Sequence, residues 1–255
     1  MKMIFLNKLL KLIFIVSIVV FGISYFYKDK LPDKNYILEE LYQDPIQKEI
    51  SKTPFEVEKG ETIYTITPLY NYEIYGLVVS YHHSNSWFDY YHEKWKDFLN
   101  VKDVCVIWGD NIETEVYKNM KFKSGSFTCY PNFKLGLSQE IRSKYRNDNL
   151  SNNHLLSDSE EINKKIMSVR KGDQIYIKGY LVNYGHKGES SKRTSSTSRT
   201  DLGCECIYIT DFEILKKNNS ICSFIYKISG FFALFSFSLI LIIFFLTPLG
   251  SRLKK

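Results

Sequence analysis

The chain has 255 residues, 44% of them apolar, with 34 basic and 28 acidic residues for a net charge of +6. This is enough for one or two domains with an ordinary core. The positive charge sits at the ends: residues 1–27 and 222–255 hold seven basic residues and no acid, leaving 27 basic against 28 acidic between them. That balance speaks against a broad nucleic-acid footprint on the middle of the chain.

In chain order, residues 12–27, "LIFIVSIVVFGISYFY", form an uncharged apolar run behind Lys8 and Lys11, whose ammonium groups can snorkel to an interface. Tyr25, Phe26 and Tyr27 stand where an interfacial aromatic belt would. We expect an uncleaved transmembrane anchor over residues 1–27, a cleaved signal peptide being the alternative. Residues 28–54 read as a tether with a short helix, "YILEELYQ", closed by Asp44 and Pro45. From residue 55 the texture turns to strands: "TIYTIT", "YEIYGLVVSY" and the short apolar run "DVCVIWG". "FKSGSFTCY" has the form of a hairpin turning at Ser124 and Gly125.

Two helices are expected within this region. In "SWFDYYHEKWKDFL", Trp87, Tyr91, Trp95 and Phe98 are spaced four, four and three apart, an apolar stripe of the kind that usually packs into a core. In "SDSEEINKKIMSV", Ser157 and Glu160 match a capping box, and Ile162, Ile166 and Val169 form the stripe. A turn at Lys171, Gly172 and Asp173 leads to "QIYIKGYLVNY", where Gly179 marks a bulge or corner. A polar loop, "HKGESSKRTSSTSRTDLG", separates it from a last strand, "CECIYITDFEIL". Residues 228–249 are then 22 uncharged residues, enough for a second transmembrane helix. The expected fold is α+β: a small β-barrel or curved sheet, OB-like in the helix–turn–bent-strand passage, with packed helices and two flanking transmembrane helices. The expected domains are 1–27, 28–54, 55–220 and 221–255.

The site candidates are polar groups without a diagnostic motif. Asp89, His92 and Glu93 fall on one helical face, and His83 lies where strand gives way to loop. His154, in "LSNNHLLSD", reads as a loop histidine beside two amides. Arg193 and Arg199 lie in the basic loop 186–200, which could meet phosphates or anionic head groups. No nucleophile elbow, zinc-protease or phosphate-loop pattern occurs. The sequence therefore does not decide whether the chain is an enzyme, and it calls for no cofactor and no metal. Cys105, Cys129, Cys204 and Cys206 are candidates for one or two disulfides, with the pairing open; Cys204 and Cys206, two apart on a strand, would bond other segments rather than each other.

The strings "YEIYGLVVSYHH", "VCVIWGDN", "LSNNHLLSD" and "GDQIYIKGYLVNY" resemble, over roughly residues 36–215, a family of uncharacterised bacterial membrane-associated proteins. The resemblance implies a place in the bacterial envelope and brings no activity with it. Basic residues flank both apolar segments almost equally, so the positive-inside rule decides little. The signal-like start favours cytoplasmic termini and a periplasmic middle domain. The function expected is a membrane-anchored extracytoplasmic binding or assembly module, with the bilayer and an envelope protein as partners. A membrane-bound hydrolase using the histidines of 82–92 and 154, and an OB-type nucleic-acid binder, are the alternatives.

Overall fold

The computed structural model describes residues 2–84, 94–125, 127–200 and 203–247. They fall into a helical unit, made of residues up to 30 and from 219 onward, and a sheet unit, Leu31–Asn218. The first helix, α1, spans Lys2–Lys28.

Among the described residues the sheet unit holds nine strands: β1 Ile46–Glu49, β2 Phe55–Lys59, β3 Thr62–His83, β4 Asn100–Ile107, β5 Met120–Gly125, β6 Thr128–Phe133, β7 Leu150–Leu156, β8 Gln174–His186 and β9 Glu205–Lys216. Short helices α2 (Asp110–Glu113) and α3 (Gln139–Arg142), and the longer α4 (Glu160–Ser168), lie between them. The architecture is α+β, with one large sheet and a separate β5–β6 hairpin.

β3 organises the large sheet. The two runs "TIYTIT" and "YEIYGLVVSY" belong to this one strand of 22 residues. Pro68 lies at a register shift, where its missing N–H costs no ladder bond. The first part of β3 pairs with β8 up to Leu77, and the last part pairs with β4 from Leu77 to His83. Gly76 sits at this handover, where a Cβ would come 2.7 Å from the Cβ of Val106, so the crossing needs a residue without a side chain. The order runs β3-β4-β7-β9-β8, and β8 pairs back onto β3. β7 and β9 are parallel; the other neighbours are antiparallel. At Gly179 the β8–β9 register shifts, and a Cβ there would fall 2.1 Å from the Tyr208 carbonyl oxygen, which explains the glycine that interrupts the β8 pattern.

Both faces of the sheet are covered. Val78, Val104, Val106, Leu155, Ile177, Ile207 and Ile209 share one apolar cluster with Ile166 and Val169 at the end of α4. Leu77, Val79, Cys105 and Ile107, on the alternate positions, share another with Leu41, Ile112, Tyr117 and Phe122. This double burial is why β4 reads as an unbroken apolar run rather than an alternation. α4 is capped by Ser159, whose Oγ accepts from the Ile162 N–H; Ser157, the residue expected in that role, instead accepts from the Ser159 N–H. Its buried Oγ thus steadies the turn before the cap.

Residues 31–54 differ from the expected tether. Leu41 is fully buried, β1 pairs with β3, and two 3₁₀ turns, Lys34–Tyr36 and Glu39–Tyr42, replace the short helix. The apolar side chains of Leu31, Ile37, Leu38 and Tyr42 pack beside Leu41, which holds the segment on the sheet.

The last helix, α5, spans Ser220–Leu246. Helices α1 and α5 are both long and apolar enough to cross a membrane. They run antiparallel: Phe14 stacks on Phe237 and Phe21 on Tyr226, with ring centroids 5.6 and 4.4 Å apart. Gly230 lets the Phe21 ring approach, and Ser17, Ser24, Ser229 and Ser236 lie buried. Ser24, Ser229 and Ser236 return their hydroxyls to carbonyls of their own helix. Small residues at the contact permit this closeness, while Phe26, Phe231 and Phe245 point outward.

Candidate functional site

Two arrangements stand out, and Phe127 belongs to both. The first is a groove of about 980 Å³ between the β3–β4 connection and the loop after β8. Lys94, Trp95, Lys96 and Asp97 form one wall, His186, Lys192 and Arg193 another, and Tyr64, Tyr184 and Phe127 line it as well. Its walls are fastened to the sheet. Tyr64 Oη donates to the Lys96 carbonyl and accepts from the Phe98 N–H. Tyr184 Oη donates to the buried Asp97 carboxylate at 2.9 Å. Tyr184 and Arg193 exchange backbone hydrogen bonds of 2.9 and 2.7 Å, which pins the loop. The Arg193 guanidinium lies 3.9 Å from the Phe127 ring centroid, a cation–π contact, and 4.0 Å from Asp97.

The second arrangement is a polar lattice on one sheet face. Residues directly opposite in paired strands share a face. Ser80 of β3 lies opposite Cys105 of β4, which lies opposite Asn152 of β7. In the next row His82, Asp103 and His154 face one another, and His154 is beside Cys206 of β9. Cys204, two residues before Cys206, comes next to Asn152, whose Nδ2 donates to its sulfur at 3.4 Å. The β5–β6 hairpin roofs this face: Ser124 Oγ meets Ser80 Oγ at 2.8 Å, and Cys105 and Cys129 are disulfide-bonded, with Cα atoms 6.1 Å apart.

At the centre, His154 Nδ1 and Asp103 Oδ1 are 2.6 Å apart, both groups buried. Asn100 Nδ2 donates to the same oxygen, and the Phe127 N–H to the other carboxylate oxygen. The Phe127 carbonyl accepts from Cys204 Sγ at 3.2 Å, and its ring lies 6.0 Å from the His154 ring. Phe127 makes these contacts from the left-handed region, φ +67°, a costly conformation for a bulky residue and one that surrounding contacts must hold. Burial pushes the His154 imidazole down, but the charge and hydrogen bond of Asp103 outweigh it and carry it up to about 9. Burial pushes the Cys204 thiol up, yet the hydrogen bond and charge of His154 bring it below its ordinary value. Cys206, sealed in the interior, is pushed well up by burial.

The expected site residues separate. His154 is not in a loop; it is central in β7, where its neighbours Asn152 and Asn153 also point into buried surroundings. His83 is on the opposite face, across from Lys102, and burial first, then Lys102 and His82, lower it to about 4. Arg193 lines the groove, whereas Arg199 bonds Asp44 and the Pro45 carbonyl on the N-terminal segment. Asp89, His92 and Glu93 lie outside the described residues, as do Trp87 and Tyr91. The remaining members of the expected core stripe, Trp95 and Phe98, are exposed, and Trp95 serves the groove instead. Of the cysteines, Cys105 and Cys129 are bonded, while Cys204 and Cys206 are free thiols. Asn152 was marked by the sequence only as an amide beside His154, and Asp103 and Asn100 were not marked at all, since only the strand register brings them to His154. Among the described residues no cluster of His, Cys, Asp and Glu is arranged to hold a metal ion. No family model, curated protein or solved structure matches the chain.

Proposed function

We propose that the chain is a membrane-anchored, extracytoplasmic binding module of the bacterial envelope, whose sheet closes into an OB-type barrel and whose groove takes an anionic saccharide. The circuit of pairings β3-β4-β7-β9-β8-β3, with its single parallel pair, supports the barrel. The disulfide supports an oxidising compartment, and the antiparallel helix pair supports both outer helix ends lying on one side of the bilayer, the cytoplasmic one if the disulfide side is outside. The groove carries the functional reading. It combines the flat face of Trp95 for a sugar ring with Lys96 and Lys192 for acidic groups. Asp97 is engaged by Tyr184 and Arg193, so its charge is spent inside the wall.

The test is binding of a fluorescein-labelled heparin tetrasaccharide to spheroplasts carrying the full chain. We expect saturable binding on intact spheroplasts, weakened about tenfold by the paired substitutions Lys96→Glu and Lys192→Glu. Binding only after the spheroplasts are opened overturns the extracytoplasmic placement. Absence of binding in both, or equal binding of a single-stranded oligodeoxynucleotide, overturns the saccharide reading.

A further inference from the structure

The polar lattice holds more than a structural ion pair requires. A buried His154–Asp103 pair would by itself anchor the hairpin tip through the Phe127 N–H. Such an anchor needs no thiol beside it. Yet Cys204 is only half-buried, in contrast to the sealed Cys206 two residues on, and it is held by two directed contacts, from Asn152 Nδ2 and to the Phe127 carbonyl. His154 Nδ1 is taken by Asp103, and the parallel β7–β9 register, with Cys204 held beside Asn152, sets the thiol one row from His154, which leaves Nε2 as the ring nitrogen to serve it. A nucleophile, a base and a group orienting the base thus come from β9, β7 and β4, placed by rigid strand register rather than by loops. Asn152 adds a further sign. Its Oδ1 is buried and accepts no hydrogen bond among the described residues, an unfilled acceptor next to the sulfur.

We infer that Cys204 is the nucleophile of an acyl-transfer site, with His154 as its general base and acid and Asp103 as the residue that positions His154. The substrate class is an activated acyl group, an ester or thioester. Cys204 sulfur attacks the acyl carbon, forming a C–S bond, while the bond to the leaving oxygen or sulfur breaks and that atom takes the proton from His154. Water, or an acceptor hydroxyl, then attacks the thioester and gives its proton to His154. The C–S bond breaks, and the acid or ester leaves with the thiolate restored. Asn152 Nδ2, 3.4 Å from the sulfur, is the donor placed for the developing oxyanion, and when water is the acceptor its second O–H, the one not passed to His154, is received by Asn152 Oδ1. This site shares Phe127 with the groove but does not depend on the proposed saccharide contacts.

The test uses the full chain in detergent micelles. Iodoacetamide alkylation of Cys204 is followed by mass spectrometry from pH 5 to 9, with free N-acetylcysteine in the same tube as reference. 4-Nitrophenyl acetate serves as the acyl probe. At pH 6 we expect Cys204 to alkylate about tenfold or more faster than the reference. One equivalent of 4-nitrophenolate should appear as a burst, with one acetyl group on Cys204, and Cys204→Ser should remove that burst. Asp103→Asn should move the alkylation midpoint up by about one pH unit or more, measured on protein that still shows a cooperative unfolding transition, since an unfolded Cys204 would also titrate higher. If that variant does not fold, the wild-type profile and the Cys204→Ser burst still decide. An alkylation profile matching N-acetylcysteine overturns the inference, and so does a reactive Cys204 that gains no acetyl group.

Discussion

Lys102 and Asp103 are neighbours in β4, both fully buried, and they face opposite sides of the same sheet. Lys102 points to the apolar side, where its Nζ donates to the Val169 carbonyl at 2.7 Å and lies 3.9 Å from the Tyr81 ring centroid. There it closes the negative end of α4, the usual place for a cation on a helix. Burial nevertheless lowers it to about 7, against a smaller raising effect of Asp173. Asp103 points to the polar side and is met by His154, Asn100 and Phe127. One charge is used up in finishing a helix. The other orients a histidine that acts on a half-exposed thiol. Burial of a charge is therefore a poor guide to function on its own; the chemistry of its partners separates the two cases.

The sharpest way to break this contrast is Asp103→Ala. It leaves a buried imidazole without its carboxylate and should cost about 3–5 kcal/mol of stability in denaturant unfolding of the full chain. A loss no larger than that of a surface substitution would mean that the pair does not hold the hairpin side together. A smaller effect, on the order of 3 kcal/mol, is expected from pH. His154 is raised from 6.5 to about 9 in the folded chain, so its contribution is complete below pH 6.5 and is lost as pH rises through 9. The measurement belongs in a Cys204→Ser, Lys102→Met background, because the lowered thiol and the lowered Lys102 ammonium both contribute in the opposite sense, with stability lost as pH falls. In that background, unfolding curves that keep the same midpoint from pH 6 to 10 would contradict the assignment, and His154→Gln should flatten the dependence.

Lys102→Met should have the smallest effect, about 1–2 kcal/mol, because it strips a donor from two carbonyls but also removes a desolvated ammonium. Its pH signature is opposite to that of His154. The folded value of about 7 lies below the unfolded 10.5, so the wild-type protein gains stability from Lys102 as pH rises across that interval, and the Met variant should lack this gain. A Lys102→Met variant that loses acyl transfer while folding normally would erase the distinction drawn here between the two residues.

What the sequence disclosed was local. The apolar helices, the buried run in β4, the bend at Gly179 and the stripe of α4 each follow from a composition or period readable in one window. The length of β3 was hidden by Pro68 and Gly76, which look like breaks and are a bulge and a crossing point. The helix stripe was misleading at Trp95 and Phe98, because a period of 3.6 gives the face a residue occupies but not what that face meets. His154 was noticed, yet "LSNNHLL" looks like a loop because asparagine is rare in strands; in β7 those amides satisfy buried neighbours. Asp103 looked like the polar start of an apolar run. It is 51 residues from His154, and Cys204 is 50 residues beyond, so only the pairing of β4, β7 and β9 joins them.

The two ends of the sheet unit are tied to each other. Tyr36 Oη donates to the Lys217 carbonyl at 2.7 Å, Lys216 Nζ donates to the Tyr36 carbonyl at 2.9 Å, and Gln174 bonds both Tyr36 and Leu38. In mechanical terms this is a clasp at the base of a loop. Tension applied along the chain from either side would be carried across these few bonds, in shear, and returned without passing through β3, β4 or β7. The strands that align Cys204, His154 and Asp103 would stay unloaded while the two ends of the unit are pulled.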